Sequence, residues 1–130
     1  MTTRRVNKSI LEIADGSGET VLSVCERLEG TSMLLELSGR LRSDVAHEFE
    51  DEVMAALFAC DEVVLDMKNV DHISGMGLDS LVYVCRTAAE TEGSSLRLVN
   101  VSEDFVPVLK GSGLDPAVWE SDGNLVNDKW

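Results

Sequence analysis

Aromatic side chains are scarce in this chain: three Phe, two Trp and one Tyr make up 5% of 130 residues. A core built from it must therefore be aliphatic. Basic residues are also few, 11 Lys and Arg against 24 Asp and Glu, for a net charge of −13. That balance argues against nucleic acid and against an anionic membrane as direct partners, because both repel it. No apolar run approaches the roughly 18–20 residues of a membrane helix, so no direct membrane insertion is expected. The first residues, Met1-Thr2-Thr3-Arg4-Arg5, lead into polar sequence rather than an apolar segment, so no secretory signal is expected. The three cysteines, Cys25, Cys60 and Cys85, are odd in number and form no Cys-x-x-Cys pair. They read as reduced thiols of a cytoplasmic protein, packed as small hydrophobes. There is no internal repeat and no low-complexity linker.

What is present suits one domain of ordinary size. Hydrophobic residues are 44% of the chain and mean hydropathy is close to zero, +0.01. The expected organisation is an N-terminal extension over residues 1–18, a domain over 19–122 and a tail over 123–130. Within the extension, residues 9–13 read as a short strand or a docked arm, stopped by Asp15-Gly16-Ser17-Gly18. Residues 21–28 alternate as a strand does. A hairpin turn at Glu29-Gly30, or at Gly30-Thr31, leads to a second strand over 32–37, which Gly39 then bends.

Ser43 reads as a helix N-cap with Asp44 in the first turn. Val45, Phe49, Val53 and Leu57 recur every four residues, with Ala56 beside them, and predict an amphipathic helix over 44–59. Residues 62–67 are almost wholly apolar, as in a central strand covered on both sides. Leu78, Leu81, Val82, Cys85, Ala88 and Ala89 give a second helix over 75–91, ending near Gly93. A strand over 96–101 follows. Then comes a short helix capped by Ser102 or Asp104, with Pro107 in a first turn. Residues 117–120 suggest a last edge strand, and the tail from Asp122 looks loosely held. The resulting fold class is α/β: a single mixed, mostly parallel sheet of 4–5 strands with helices mainly on one face. The βαβ units over residues 62–101 require parallel pairing with a right-handed crossover.

The most informative stretch is Val63-Val64-Leu65-Asp66-Met67-Lys68-Asn69-Val70-Asp71-His72-Ile73-Ser74-Gly75-Met76-Gly77-Leu78. A buried strand here delivers a small-residue loop to the start of a helix. That places backbone N–H groups and a hydroxyl within reach of a ligand or partner.

Four segments together resemble one family. They are Leu35-Glu36-Leu37-Ser38-Gly39-Arg40-Leu41, Val64-Leu65-Asp66-Met67-Lys68-Asn69-Val70, Ile73-Ser74-Gly75-Met76-Gly77-Leu78, and Leu96-Arg97-Leu98-Val99-Asn100-Val101 with Val108-Leu109 and Gly113-Leu114-Asp115. In this order and spacing, from about residue 20 onward, the chain resembles a STAS domain. That is the fold of bacterial anti-sigma-factor antagonists and of the cytoplasmic part of sulfate transporters. The resemblance implies a regulatory module that docks on a protein partner, an anti-sigma factor that is also a serine kinase. In members of this kind, phosphorylation of a loop serine breaks the complex. A phosphate adds about −1.5 to −2 charges at an interface of close backbone approach.

The ungapped alignment places Ser74 where the family has Asp or Ser, Gly75 on its first serine and Met76 on the phosphorylated one. Met76 cannot accept a phosphate. The resemblance therefore leans towards non-switching members: constitutive antagonists, or scaffold subunits of stress-signalling or transport complexes. Ser74 is the remaining phosphorylation candidate. It reads equally as a polar partner contact or as a hydroxyl capping the helix. Met76 reads as an apolar partner contact or as a core residue under the loop. The expected docking surface comprises His72, Ile73, Ser74, Gly75, Met76, Gly77, Asp79 and Ser80.

No catalytic constellation is visible. Asp71 and His72 have no nucleophile or second carboxylate placed beside them, and His47 has no arranged metal co-ligands. Gly111-Ser112-Gly113 follows a helix rather than a strand, so it reads as helix termination, not a phosphate cradle. Asp66 reads as structural, accepting N–H groups of the neighbouring loop. The expectation is a non-enzymatic module without cofactor or metal.

Overall fold

A computed structural model describes residues 2–7 and 9–119. Six strands form one sheet whose spatial order is the chain order. They are β1 (Thr2–Asn7), β2 (Ile10–Ala14), β3 (Thr20–Glu29), β4 (Ser32–Leu41), β5 (Glu62–Ile73) and β6 (Ser95–Val99). Helix α1 (Ala46–Ala59) connects β4 to β5 and α2 (Gly75–Glu90) connects β5 to β6. Two short helices, α3 (Val106–Gly111) and α4 (Pro116–Trp119), follow.

The first three pairings are antiparallel and the last two parallel. The mixed sheet is as expected, but it has six strands rather than four or five, and antiparallel pairings outnumber parallel ones. The difference lies at the N-terminus, where β1 and β2 pair as the sheet's first two strands. The apolar positions of β2, Leu11 and Ile13, are buried beside Val24 and Leu22 of β3.

Both parallel crossovers move one strand in the same direction, and the right-handed rule puts α1 and α2 on one face. The core lies between that face and the helices. Met33–Val63–Leu96 and Leu35–Leu65–Leu98 form rows across β4, β5 and β6. Val45, Phe49, Val53 and Ala56 from the first crossover, and Leu81, Val84, Cys85 and Ala88 from α2, pack onto the same cluster. Phe49 is the one aromatic ring among its fully buried side chains, so the core is aliphatic as composition required. The opposite face carries a small buried cluster of Leu34, Val64 and Val99. In register, Leu34 and Val64 sit between Arg27 and Arg97, which pair with Glu36 and Glu62.

Several boundaries differ from the sequence reading. The β3–β4 turn is Gly30-Thr31, because Glu29 pairs with Ser32 and Gly30 takes a positive φ of 61°. Ser43 does not cap α1. A 3-10 turn over Ser43–Val45 precedes that helix, and its cap position is held by Arg42, whose guanidinium binds the Asp44 carboxylate. Of the two candidate caps for the third helix, Ser102 is the one used. It accepts from Asp104 N at 3.3 Å and opens a 3-10 turn that runs into α3 with Pro107 in its first turn. Residues 116–119 are helical rather than an edge strand, because Asp115 accepts from the Ala117 amide at 3.0 Å. Glu120 and the tail from Asp122 lie outside the described residues.

Candidate functional site

The site starts with β5, which runs to Ile73, well past the apolar run ending at Met67. It stays paired with β4 through two irregularities, between Glu36 and Ser38 and between Gly39 and Arg40 of β4. These let Lys68, Asn69, Asp71 and His72 be strand residues although they read as a polar turn. Asp66 fixes the first irregularity: its Oδ1 accepts from the Lys68 amide and from Asn100 Nδ2, both at 3.0 Å. Asn100, directly after β6, holds a positive φ of 56°. The carboxylate is therefore structural, as its position suggested.

At the end of β5 the Ser74 amide donates to the Leu41 carbonyl at 3.0 Å, tying the loop to the end of β4. Ser74 is the N-cap of α2. Its Oγ accepts from Gly77 N at 3.0 Å, and its carbonyl accepts from Leu78 N at 2.8 Å. Gly77 is buried, and a Cβ built on it would stand 2.1 Å from the Leu41 carbonyl oxygen. Only glycine lets the first turn of α2 approach β4 so closely. Gly75 has open space around it. Between the two glycines Met76 is 61% exposed, which rules out a place in the core under the loop.

The first turn of α2 contains no acidic residue, so its positive end is not neutralised from within the helix. Ser74 takes up the amides of Gly77 and Leu78, which leaves those of Gly75 and Met76 to a partner or to water.

The other expected docking residues divide. His72 and Asp79 are exposed; Ile73 is half-buried against the core. Ser80 is buried and turned inward, donating to the Glu50 carboxylate of α1 at 2.7 Å. It joins the helices instead of facing outward. Below the loop a groove of about 640 Å³ follows the outer side of α2. Leu78, Asp79, Val82, Tyr83 and Arg86 line it, with Ser112 beyond the end of α3 on its far wall. Tyr83 is 53% exposed. Tyr83 and Arg86 were not among the expected site residues. The available signal was their spacing from Asp79, four and seven residues, which puts all three on one side of a helix.

His47 lies 3.6 Å from Asp51, four residues on along α1, and both are exposed. Among the described residues no group of three metal-ligating side chains comes together. Burial pushes the Cys85 thiol up to about 12 and raises that of Cys60, the behaviour of packed thiols.

A sheet that ends in a glycine-clamped loop, with an exposed apolar side chain over an open helix N-terminus and a groove alongside, defines an α/β domain with a presented surface. The chain belongs to the STAS domain family, whose sequence model matches residues 24–125. No curated protein matches it. Among solved structures it is similar to an anti-sigma factor antagonist from Mycobacterium paratuberculosis, with a TM-score of 0.69 and 13% identity over 90% of this chain and 97% of that one. It is also similar to the Bacillus cell fate determinant SpoIIAA in its phosphorylated form, with a TM-score of 0.63 and 16% identity over 82% and 97%. The murine anion transporter Slc26a9 matches over 85% of this chain and 17% of its own length, at a TM-score of 0.55 and 16% identity. At these identities the likenesses concern the fold. No helix among the described residues is long and apolar enough to cross a membrane.

Proposed function

We propose that this chain is a non-enzymatic, cytoplasmic regulatory module of bacterial transcription. It docks on an anti-sigma factor of the serine-kinase type through the loop and first turns of α2. The carrying observation is Met76: 61% exposed, flanked by two glycines, at a helix start whose negative partner is missing. A flexible thioether there fits a protein surface, and the glycines allow close approach of another backbone. Asp79, Tyr83 and Arg86 extend the contact along the groove.

The same observation gives the reading its second half. The position the family uses as acceptor carries no hydroxyl, and the nearby Ser74 hydroxyl is engaged as a cap. Docking is therefore not switched off by phosphorylation at position 76. That favours, as the second reading, a scaffold STAS subunit of a stress-signalling or transport complex.

The test uses the ATP-binding anti-sigma kinases encoded in the source genome, each titrated calorimetrically against the full chain. The expected result is that one binds the wild type, that Met76→Glu abolishes binding without lowering Tm, and that only Met76→Ser becomes phosphorylated by it. Unchanged affinity of Met76→Glu removes the loop from the interface. Binding to none of the kinases, with co-elution in a large assembly, replaces the antagonist reading with the scaffold one.

A further inference from the structure

At the far end of α2 lies a second surface. The C-terminal turns of α1 and α2 diverge and leave a cleft of about 190 Å³ lined by Met54, Leu57 and Phe58 on one side and Ala88 and Thr91 on the other, with Ser94 at its end. Phe58 is 97% exposed. In a chain with three phenylalanines, one is left almost wholly in water beside an apolar cleft, an arrangement that burial by a partner would relieve.

The charge around the cleft has one sign. Two helix C-termini meet at this end, and neither helix has a basic residue in its last turn, the place where a cation ordinarily offsets the helix dipole. An exposed carboxylate stands there instead: Glu92 follows Thr91 of the cleft lining, whereas Glu90 lies with Arg86 in the groove on the other flank of α2. Asp61 is held beside Ser94, its carbonyl accepting from the Ser95 amide at 2.9 Å. Helix α1 contains four acidic residues and neither lysine nor arginine. Arg86, the one cation of α2, lies on its other flank in the groove. A second copy of this chain would bring like charge against like.

We propose that this cleft is a second docking surface that takes a basic amphipathic helix of a protein partner. One large apolar side chain of that helix inserts beside Phe58, while its lysines or arginines meet Asp61, Glu92 and the negative ends of the α1 and α2 dipoles. The cleft is separated from the Met76 loop by the length of a 16-residue helix, about 24 Å, so the two surfaces can be occupied together.

The probe is a synthetic leucine–lysine amphipathic peptide of about 18 residues, long enough to form a helix. It is titrated into the isotopically labelled full chain by NMR, with a leucine–glutamate peptide of the same pattern as control. The expected shifts are confined to Met54, Phe58, Thr87 and Thr91. Phe58→Ser weakens binding at least tenfold, Asp61→Asn with Glu92→Gln weakens it and flattens its salt dependence, and the glutamate peptide does not bind. Met76→Glu leaves this binding unchanged, so the outcome is independent of the first surface. Shifts spread over the acidic surface, equal affinity of Phe58→Ser, or self-association through Phe58 in sedimentation equilibrium would each overturn the proposal.

Discussion

The two ends of α2 are built on opposite plans. At its start, backbone meets backbone: Ser74 N on Leu41 O, Gly77 against the same carbonyl, and Ser80 on Glu50 across to α1. At its finish, the helix faces α1 across a cleft lined by side chains. The first end ties the exposed loop to the end of β4. The close backbone contacts of α2 are thus concentrated where β4, β5 and α2 converge rather than spread along the helix.

Substitutions at the clamp and beneath α2 should have the largest effects. Leu81 and Ala56 are buried at 0% and 6% exposure. Either Leu81→Glu or Ala56→Glu buries an unpaired charge at a cost of more than about 4 kcal/mol, enough to abolish the cooperative transition in urea. Gly77→Ala forces a methyl into the space of the Leu41 carbonyl and should cost about 2–4 kcal/mol. The same change at Gly75, where the space is open, should cost well under about 1 kcal/mol. Equal losses at the two glycines would dissolve the distinction between clamped and open positions.

A smaller effect is expected from the cap. Ser74→Ala removes the acceptor of the Gly77 amide and should cost about 1 kcal/mol; Ser74→Asp should recover most of it, since a carboxylate also caps and suits the helix dipole. Chemical denaturation of the three proteins decides this.

Smallest is a pH effect on the far side of α1. Burial, with Glu26 close by and Arg5 only partly offsetting it, raises the pKa of Glu52. A carboxyl that binds its proton more tightly folded than unfolded adds stability at acid pH. That stability is lost as pH rises from the ordinary carboxylate range through the raised folded value. Glu52→Gln should therefore raise Tm at neutral pH, and the gain should vanish below the ordinary carboxylate range. A gain independent of pH would show that charge is not its cause.

Much of this was legible in the sequence because period and burial agree. The every-fourth-residue apolar pattern of α1, the apolar run opening β5 and the small-residue loop all describe local structure that the whole fold endorses. Where reading failed, the deciding partner was distant in sequence. Lys68, Asn69, Asp71 and His72 look like a turn, yet β4 holds them as strand across two irregularities. Ser80 looks like part of an exposed face, yet its partner Glu50 lies on another helix. Residues 2–7 alternate too little to announce a strand, and it is pairing with β2 that makes them one. The outward groove escaped because its far wall, Gly111 and Ser112, comes from the end of α3, distant in sequence from α2.

The strand order has a consequence for how the molecule is made. Every strand's neighbour in the sheet is the next strand in the chain, so the sheet grows at one edge only, in the direction of synthesis. Each hairpin or β-α-β unit adds to a template already present, and no late segment must thread between two earlier ones. The antiparallel hairpins close over short turns, whereas the two parallel pairings wait on the crossovers that contain α1 and α2, and those longer closures are the slower steps. Amide exchange in the native state should show protection lost first at the outer strands β1 and β6, and last at the junction of β4 and β5, where the loop that carries Met76 is anchored.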